Sequence, residues 1–262
     1  MSGAARTGLP TAGNNGSGTP STTAALGPDC DRDPLADQQP YGSGFYQKFH
    51  GLFGCAPAAD LALYRRMLPD KFAMPADPQV CFYTIDFEIS GVGPYHEAAI
   101  LLPVTYKGES GKYVLSMDLD NLAATAGGRA LGFPKYMGEV SLDQQGNDWT
   151  ATARANGTVD LKATYTGQCT ESDEFLWPDF INLTPIPLGT TSSQAFLPPR
   201  SGRALKIPAE YLSKAVRSLK GTIRLEFGDH LPWNGLVDES KPFPGLWSAF
   251  VGGVDLGNQP LD

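Results

Sequence analysis

The residues of this chain best suited to covalent chemistry lie in the run GRALGFPKYMGEVSL, residues 128–142. Lys135 follows a Phe133-Pro134 step and precedes Tyr136 and Met137. Pro134 stiffens the backbone at that point, and the bulky neighbours shield the amine from water. Desolvation disfavours an ammonium and leaves more free amine, the form that attacks a carbonyl carbon. A lysine at a strand start can equally lay its stem on apolar surface and keep its charge in water, a purely structural use. Arg129, earlier in the same run, could bind a substrate carboxylate or pair with an acidic neighbour.

Other chemical signals are sparse. His50, His96 and His230 are single histidines without metal-ligand spacing. If His96 and Glu97 both lie on a strand, they point to opposite faces. The stretch Lys107-Gly108-Glu109-Ser110-Gly111, followed by Lys112, has too few residues between its glycines for a phosphate loop, and Tyr113 stands where Ser or Thr would hold magnesium. It reads as a hairpin turn. There is no GxSxG elbow, no HExxH pair and no dinucleotide fingerprint after a strand. No metal and no organic cofactor is expected. Cys30, Cys55, Cys81 and Cys169 lie far apart with no CxxC, so neither a zinc site nor a dense disulfide framework is indicated and reduced thiols are expected.

The bulk properties narrow the partners. Among 262 residues, 28 are acidic and 20 basic, for a net charge of −8 with no Lys/Arg cluster. Nucleic acid and anionic membranes are therefore not expected partners. No apolar run approaches the roughly 18 residues that span a bilayer. The first residues lack the charged-then-apolar layout of a signal peptide, and the expected location is cytoplasmic. The sequons at Asn15, Asn156 and Asn182 then read as chance matches.

The elements that must hold Lys135 follow from pattern and punctuation. Residues 1–40, rich in Gly, Ser, Thr, Ala and Pro, cannot bury enough surface to offset their ordering, and read as a flexible tail. Folded structure is expected over 41–262. PAADLALYRRML (57–68) predicts a short helix, stopped by Pro69. VCFYTIDFEI (80–89), 95–106 and 113–117 predict three sequential strands, separated by a Gly-Pro turn and the hairpin at 107–111. Asp120 or Asn121 caps an Ala-rich helix that ends at Gly132. Strands are expected around 140–142, 149–155, 158–165 and 222–227. A further helix is expected over 209–219, between Pro208 and Gly221. Residues 232–256 read as an irregular, aromatic-rich end. Thirty Gly and 22 Pro, about a fifth of the chain, suit such a turn-rich architecture. The fold class is α+β, with a largely antiparallel sheet.

Several blocks together resemble one family. GFYQKFHGLF, ALYRRMLPDKF, GVGPYHEAAILLPVTYKGESGKYVLSMDLDN, GGRALGFPKYMG and GTIRLEFGDH occur in the order and at the spacing of the acetoacetate decarboxylase superfamily, from about Tyr41 onward. The resemblance implies a β-rich, partly closed barrel with a few short helices, and a homo-oligomer. It implies that Lys135 forms a Schiff base with a keto substrate, and that Glu97, in Pro94-Tyr95-His96-Glu97, orients substrate or moves a proton beside the imine. The family's decarboxylases carry a second lysine where this chain has Tyr136. A second acidic residue is replaced by Tyr83, and an N-terminal arginine that binds the substrate carboxylate has no counterpart in Lys48-Phe49-His50-Gly51-Leu52-Phe53.

The expectation is a cofactor-independent lyase acting through a Lys135 imine, decarboxylating a β-keto acid. Schiff-base aldol addition or dehydration of a larger keto acid is the alternative, and a non-catalytic small-molecule binder is a third. Lys135 and Glu97 are the expected catalytic residues, with Tyr136, Tyr83, Phe133, Arg129 and Met137 expected around the substrate. Tyr136 or Tyr83 could donate a hydrogen bond, or simply pack. The loops at 180–198 and 232–250 are expected to shape the pocket mouth or a subunit contact.

Overall fold

The computed structural model describes residues 35, 37–40, 42–175, 179–184 and 202–262. Most of the expected tail, and most of the loop at 180–198, lie outside the described residues. Within the tail, Leu35 is described and its side chain is buried in the larger of two cores.

The described residues form thirteen strands and two short helices. Strands β1 (Tyr46–Pro57), β2 (Gln79–Ser90), β3 (Tyr95–Tyr106) and β4 (Glu109–Leu119) make an antiparallel meander. On the other side of β1 follow β12 (Phe243–Leu256), β11 (Ala209–Phe227), β8 (Thr158–Ser172), β7 (Asp148–Ala155) and β6 (Glu139–Gln145). Beyond β4 lie β9 (Phe180–Thr184), β10 (Arg203–Ile207) and β13 (Gln259–Pro260). The pairings are antiparallel except where β4 meets β9 and the short β5 (Lys135–Met137), both parallel to it. The mixed, mainly antiparallel sheet agrees with the expected class. β6 packs back toward β2, β3 and β4, and among the described residues no ladder joins the two sheet edges, β6 and β13.

Both faces of the central strands are covered, so the strand period of two feeds two cores. On β3, Ala98, Ile100, Leu102 and Val104 enter the larger core, while Tyr95, Ala99 and Leu101 enter the smaller one. Glu97 falls in that second series and is carried into an apolar layer. The same alternation on β2 sends Phe82 one way and Tyr83 and Ile85 the other.

The first helix, α1 (Leu61–Met67), starts later than its Pro57 suggested: Asp60 caps it by accepting from the Leu63 N–H at 2.8 Å, and Pro57 ends β1. The second, α2 (Leu122–Ala130), is capped by Asn121, whose side chain accepts from Ala124 N–H at 2.9 Å. The β3–β4 hairpin turns through Lys107 (φ 51) and Gly108 (φ 86), the positive-φ pair of a tight two-residue turn.

Three expectations are corrected. Residues 209–219 are not helical but the first half of β11. Their apolar spacing imitates a helix, yet β12 offers a ladder from Ala209↔Leu256 to Ile223↔Phe243, and this long-range pairing overrides local propensity. Residues 232–242 are irregular, but 243–256 form β12, whose run of apolar residues marks a strand buried on both faces. Finally, Cys55 and Cys81 are joined in a disulfide across β1 and β2, and no described cysteine is free. They are 26 residues apart in sequence but directly paired in register, with Cα atoms 3.9 Å apart. Spacing along the chain could not show that.

Candidate active site

Lys135 reaches its position through a short, fully specified path. At the end of α2, Gly132 N–H donates to the Arg129 carbonyl (3.0 Å) and Phe133 N–H to the Gly128 carbonyl (3.1 Å), with Gly132 at φ 84. This double closure ends the helix and needs a left-handed residue, which glycine supplies without strain. Lys135 N–H then donates to the Phe133 carbonyl at 2.8 Å across Pro134, and Arg129 Nε donates to the Lys135 carbonyl at 2.7 Å. Lys135 pairs with Met117 of β4, so it shares the face of the smaller core.

There the side chain passes over Gly128. A methyl group at that position would stand 2.4 Å from Lys135 Cδ and Cε, so the bare backbone of α2 makes room for the lysine stem. Lys135 Nζ lies 2.6 Å from Glu97 Oε2, and Tyr83 donates to Glu97 Oε1 at 2.7 Å. All three are almost wholly buried, at 4%, 3% and 3% exposed. The amine lies 5.7 Å from the Phe133 ring centre and 5.9 Å from that of Tyr95. Burial, reinforced by the Glu97 charge, holds the phenols of Tyr46, Tyr83 and Tyr95 above their ordinary range, so each remains a protonated donor.

Lys135 opens into a cavity of about 460 Å³ bounded by α2, Tyr46, Tyr95, Phe133 and the ends of β11 and β12. A narrow extension continues past Tyr83, Glu97, Met117 and Phe180. A second cavity, of about 190 Å³, is lined by His50, Glu88, Trp149, Tyr165 and Trp247. Its carboxylate is already held by Lys48 at 2.9 Å and His50 at 3.3 Å.

Of the expected site residues, the structure brings together Lys135, Glu97, Tyr83 and Phe133. Arg129 does not enter the cavity wall; it braces the Lys135 carbonyl and lies 5.8 Å from the Tyr136 ring centre. Tyr136 lines neither cavity. It is next to Lys135 on a strand and points the other way, toward Asp118, where burial raises its phenol to about 12. Asp118 itself is pushed up to about 8 by burial and then by Asp160. Met137 is 43% exposed, its sulfur 3.2 Å from the Thr125 hydroxyl, and it too lines neither cavity. Sequence reasoning missed Tyr46, Tyr95 and Gly128. Tyr95 was accessible in principle, since it precedes Glu97 by two and shares its strand face. Tyr46 and Gly128 carried no local signal.

The histidines take structural partners. His230 faces Asp160 at 2.8 Å, and His96 lies between Asp120 (2.9 Å) and Asp86 (3.6 Å), away from Glu97. Among the described residues no cluster of His, Cys, Asp or Glu could hold a metal ion, and no helix is long and apolar enough to cross a membrane.

A sequence profile of the family described as acetoacetate decarboxylase (ADC) matches residues 57–232. Decarboxylase DEC1 of Cochliobolus heterostrophus is 39% identical over 88 residues, covering 33% of this chain and 35% of that protein. An acetoacetate decarboxylase of Chromobacterium violaceum is 41% identical over 86 residues, 32% of this chain and 35% of that one. The chain thus spans about a third of the length of the curated relatives it matches. Among solved structures, acetoacetate decarboxylase from Legionella pneumophila superposes with a TM-score of 0.63 at 21% identity, covering 85% of this chain and 90% of that one. The enduracididine biosynthesis enzyme MppR, complexed with the condensation product of pyruvate and imidazole 4-carboxaldehyde, superposes with a TM-score of 0.65 at 17% identity, covering 93% and 99%. Both share the fold.

Proposed function

The chain belongs to the acetoacetate decarboxylase family, and on that premise we propose that it is a cofactor-independent lyase in which Lys135 forms a Schiff base with a keto substrate and expels CO2 from a β-keto acid. The observation that carries this reading is a buried amine, 2.6 Å from a buried carboxylate, at the wall of a substrate-sized cavity.

The steps follow from the contacts. Lys135 gives a proton to Glu97, the acceptor already in contact, and the free amine adds to the substrate carbonyl. Glu97 returns that proton to the departing hydroxyl, so that water leaves and a protonated imine remains. When the bond to the β-carboxylate breaks, its electron pair moves into the C=N system, giving an enamine and CO2. Glu97, reprotonated from solvent, gives a proton to the enamine carbon, and water then hydrolyses the protonated imine and frees Lys135 as its ammonium. Tyr83 acts as a positioning residue, holding Oε1 so that Oε2 faces the amine.

A second reading is aldol addition or dehydration through the same enamine. It is favoured by the roomy cavity and by the lack, among its described lining residues, of a guanidinium for a small keto acid's carboxylate. Lys48, from the segment where the family's arginine would stand, is bound to Glu88 instead.

Borohydride trapping with a panel of β-keto acids, 2-keto acids and ketones, followed by peptide mass spectrometry, tests the imine. A substrate-dependent adduct on Lys135, absent in Lys135→Ala, is expected. CO2 release faster than with Lys135→Ala selects decarboxylation, and new C–C bonded products from pyruvate and an aldehyde select the aldol reading. No adduct on Lys135, beside a working control enzyme, leaves a binding protein without turnover.

A further inference from the structure

Lys135 and Glu97 account for the amine and its proton, but not for the charge that gathers on the substrate oxygen as the amine adds. The main cavity and its narrow extension share a junction: among the described residues, Tyr46, Phe133, Lys135 and Leu256 line both. The polar groups there are the Lys135 amine and the Tyr46 hydroxyl. Tyr83 is engaged with Glu97, and Tyr95 lines the main cavity but not the extension.

The backbone of β1 puts Tyr46 at this junction. Phe49 and Phe53 face the smaller core, so strict alternation would send Gln47 inward and Tyr46 to the opposite face. Instead the ladders of β1 with β2 and with β12 both shift register between Tyr46 and Lys48, and Tyr46 joins Phe49 and Phe53. An irregularity of this kind re-aims a side chain at the expense of regular pairing. The Phe87 ring then packs against Tyr46 at 4.7 Å and against Tyr95 at 4.6 Å, fixing the two phenols side by side. Burial, and then the Glu97 charge, keep the Tyr46 phenol protonated, while the Tyr95 hydroxyl acts on its oxygen as a donor. A phenol whose oxygen accepts in this way is a stronger donor through its own proton.

We propose that the Tyr46 hydroxyl is a catalytic donor to the carbonyl oxygen of the substrate, and that Tyr95 acts through it as a positioning residue. When Lys135 adds to the carbonyl carbon, the C=O electron pair moves onto the oxygen. The Tyr46 proton is shared with that oxygen as a hydrogen bond, without transfer. The oxygen still departs as water on the proton that Glu97 returns. This assignment rests on Lys135 forming an imine.

The test uses the full chain with acetoacetate and with pentan-2-one, a ketone that carries no carboxylate. Tyr46→Phe keeps the ring against Phe87 and removes only the hydroxyl. In quenched-flow borohydride trapping, its maximal rate on Lys135 is expected to fall about a hundredfold with both compounds, as for loss of one preorganised donor. Half-saturation should move by less than about threefold, because the donor matters most once charge has formed. Tyr95→Phe should slow trapping by about threefold in the parent chain and add nothing beside Tyr46→Phe, since it acts through the hydroxyl already removed. An unchanged maximal rate in Tyr46→Phe overturns the proposal, as does a fall confined to acetoacetate, which moves the hydroxyl to the carboxylate. Additive losses in the double variant overturn the role of Tyr95. N-Ethylacetamide has the shape of pentan-2-one and a carbonyl oxygen but forms no imine, and its binding is followed by NMR titration. If neither compound traps on Lys135 in the parent chain, the imine has failed and the amide decides. Tighter binding by the parent than by Tyr46→Phe then upholds the donor, and equal binding or none overturns it.

Discussion

At the scale of single residues, the site turns on one proton and one missing side chain. Glu97 is the only carboxylate among the described residues in contact with Lys135 Nζ, so under the proposed mechanism it is the group that takes the ammonium proton before attack. Glu97→Gln keeps an oxygen for the Tyr83 hydroxyl but cannot accept that proton. The expected outcome is a fall of about a hundredfold or more in the rate of trapping on Lys135, measured by quenched-flow borohydride reduction across a pH series. Gly128 is equally exacting. Alanine there favours the helix by about 0.5–1 kcal/mol, but its methyl would meet the lysine stem at 2.4 Å. A double-mutant cycle separates the two effects: Gly128→Ala should suppress trapping and fail to stabilise the parent chain, yet stabilise the Lys135→Ala background by about 0.5–1 kcal/mol in urea unfolding. Additive effects on stability would mean that the stem is not confined by α2.

Among the elements, α2 and β4 are held to β2 and β3 by charges as well as by packing. His96 at the start of β3 donates its backbone N–H to Asp120 at 2.8 Å, and its ring contacts Asp120 and Asp86 of β2. The hydrogen bond to Asp86, then that to Asp120, raises its pKa from 6.5 to about 9. The charged ring is therefore favoured by the folded chain. Its contribution is complete below pH 6.5 and is lost as pH climbs through about 9. The urea midpoint should decline across that window in the parent chain, and the decline should flatten in His96→Gln. An equal slope in both proteins would assign the pH dependence elsewhere. The clamp bears on function because Asp120 adjoins the cap of α2, and α2 sets the approach to Lys135.

For the whole molecule, the disulfide and the curled sheet decide how the two cores are held. Cys55–Cys81 ties β1 to β2 beside Tyr83 and closes a loop with a sequence separation of 26. Loop-closure entropy of that size corresponds to about 3 kcal/mol of stabilisation. Cys55→Ala with Cys81→Ala should lower the unfolding free energy by about that amount in guanidinium titrations. Retention of the parent midpoint would show that sheet packing alone fixes the register.

The chemistry of this chain was local in its signals. Lys135, Phe133 and Pro134 announce a shielded amine in consecutive residues, and Glu97 and Tyr83 were reached through a resemblance carried by short contiguous blocks. The meander through β2, β3 and β4, the cap of α2 and the hairpin at 107–111 were legible for the same reason, since alternation, caps and turns are encoded within a few positions. What depended on distant pairing was not legible. Residues 209–219 became a strand because β12 lay alongside to complete the ladder, and Cys55 met Cys81 because register placed them opposite each other. Tyr136 and Met137 left the site because strand geometry turns one away and the end of β5 leaves the other exposed. The cavity arises where α2, β1, β11 and β12 converge. Contacts between segments that far apart in the chain exist only once the sheet has folded.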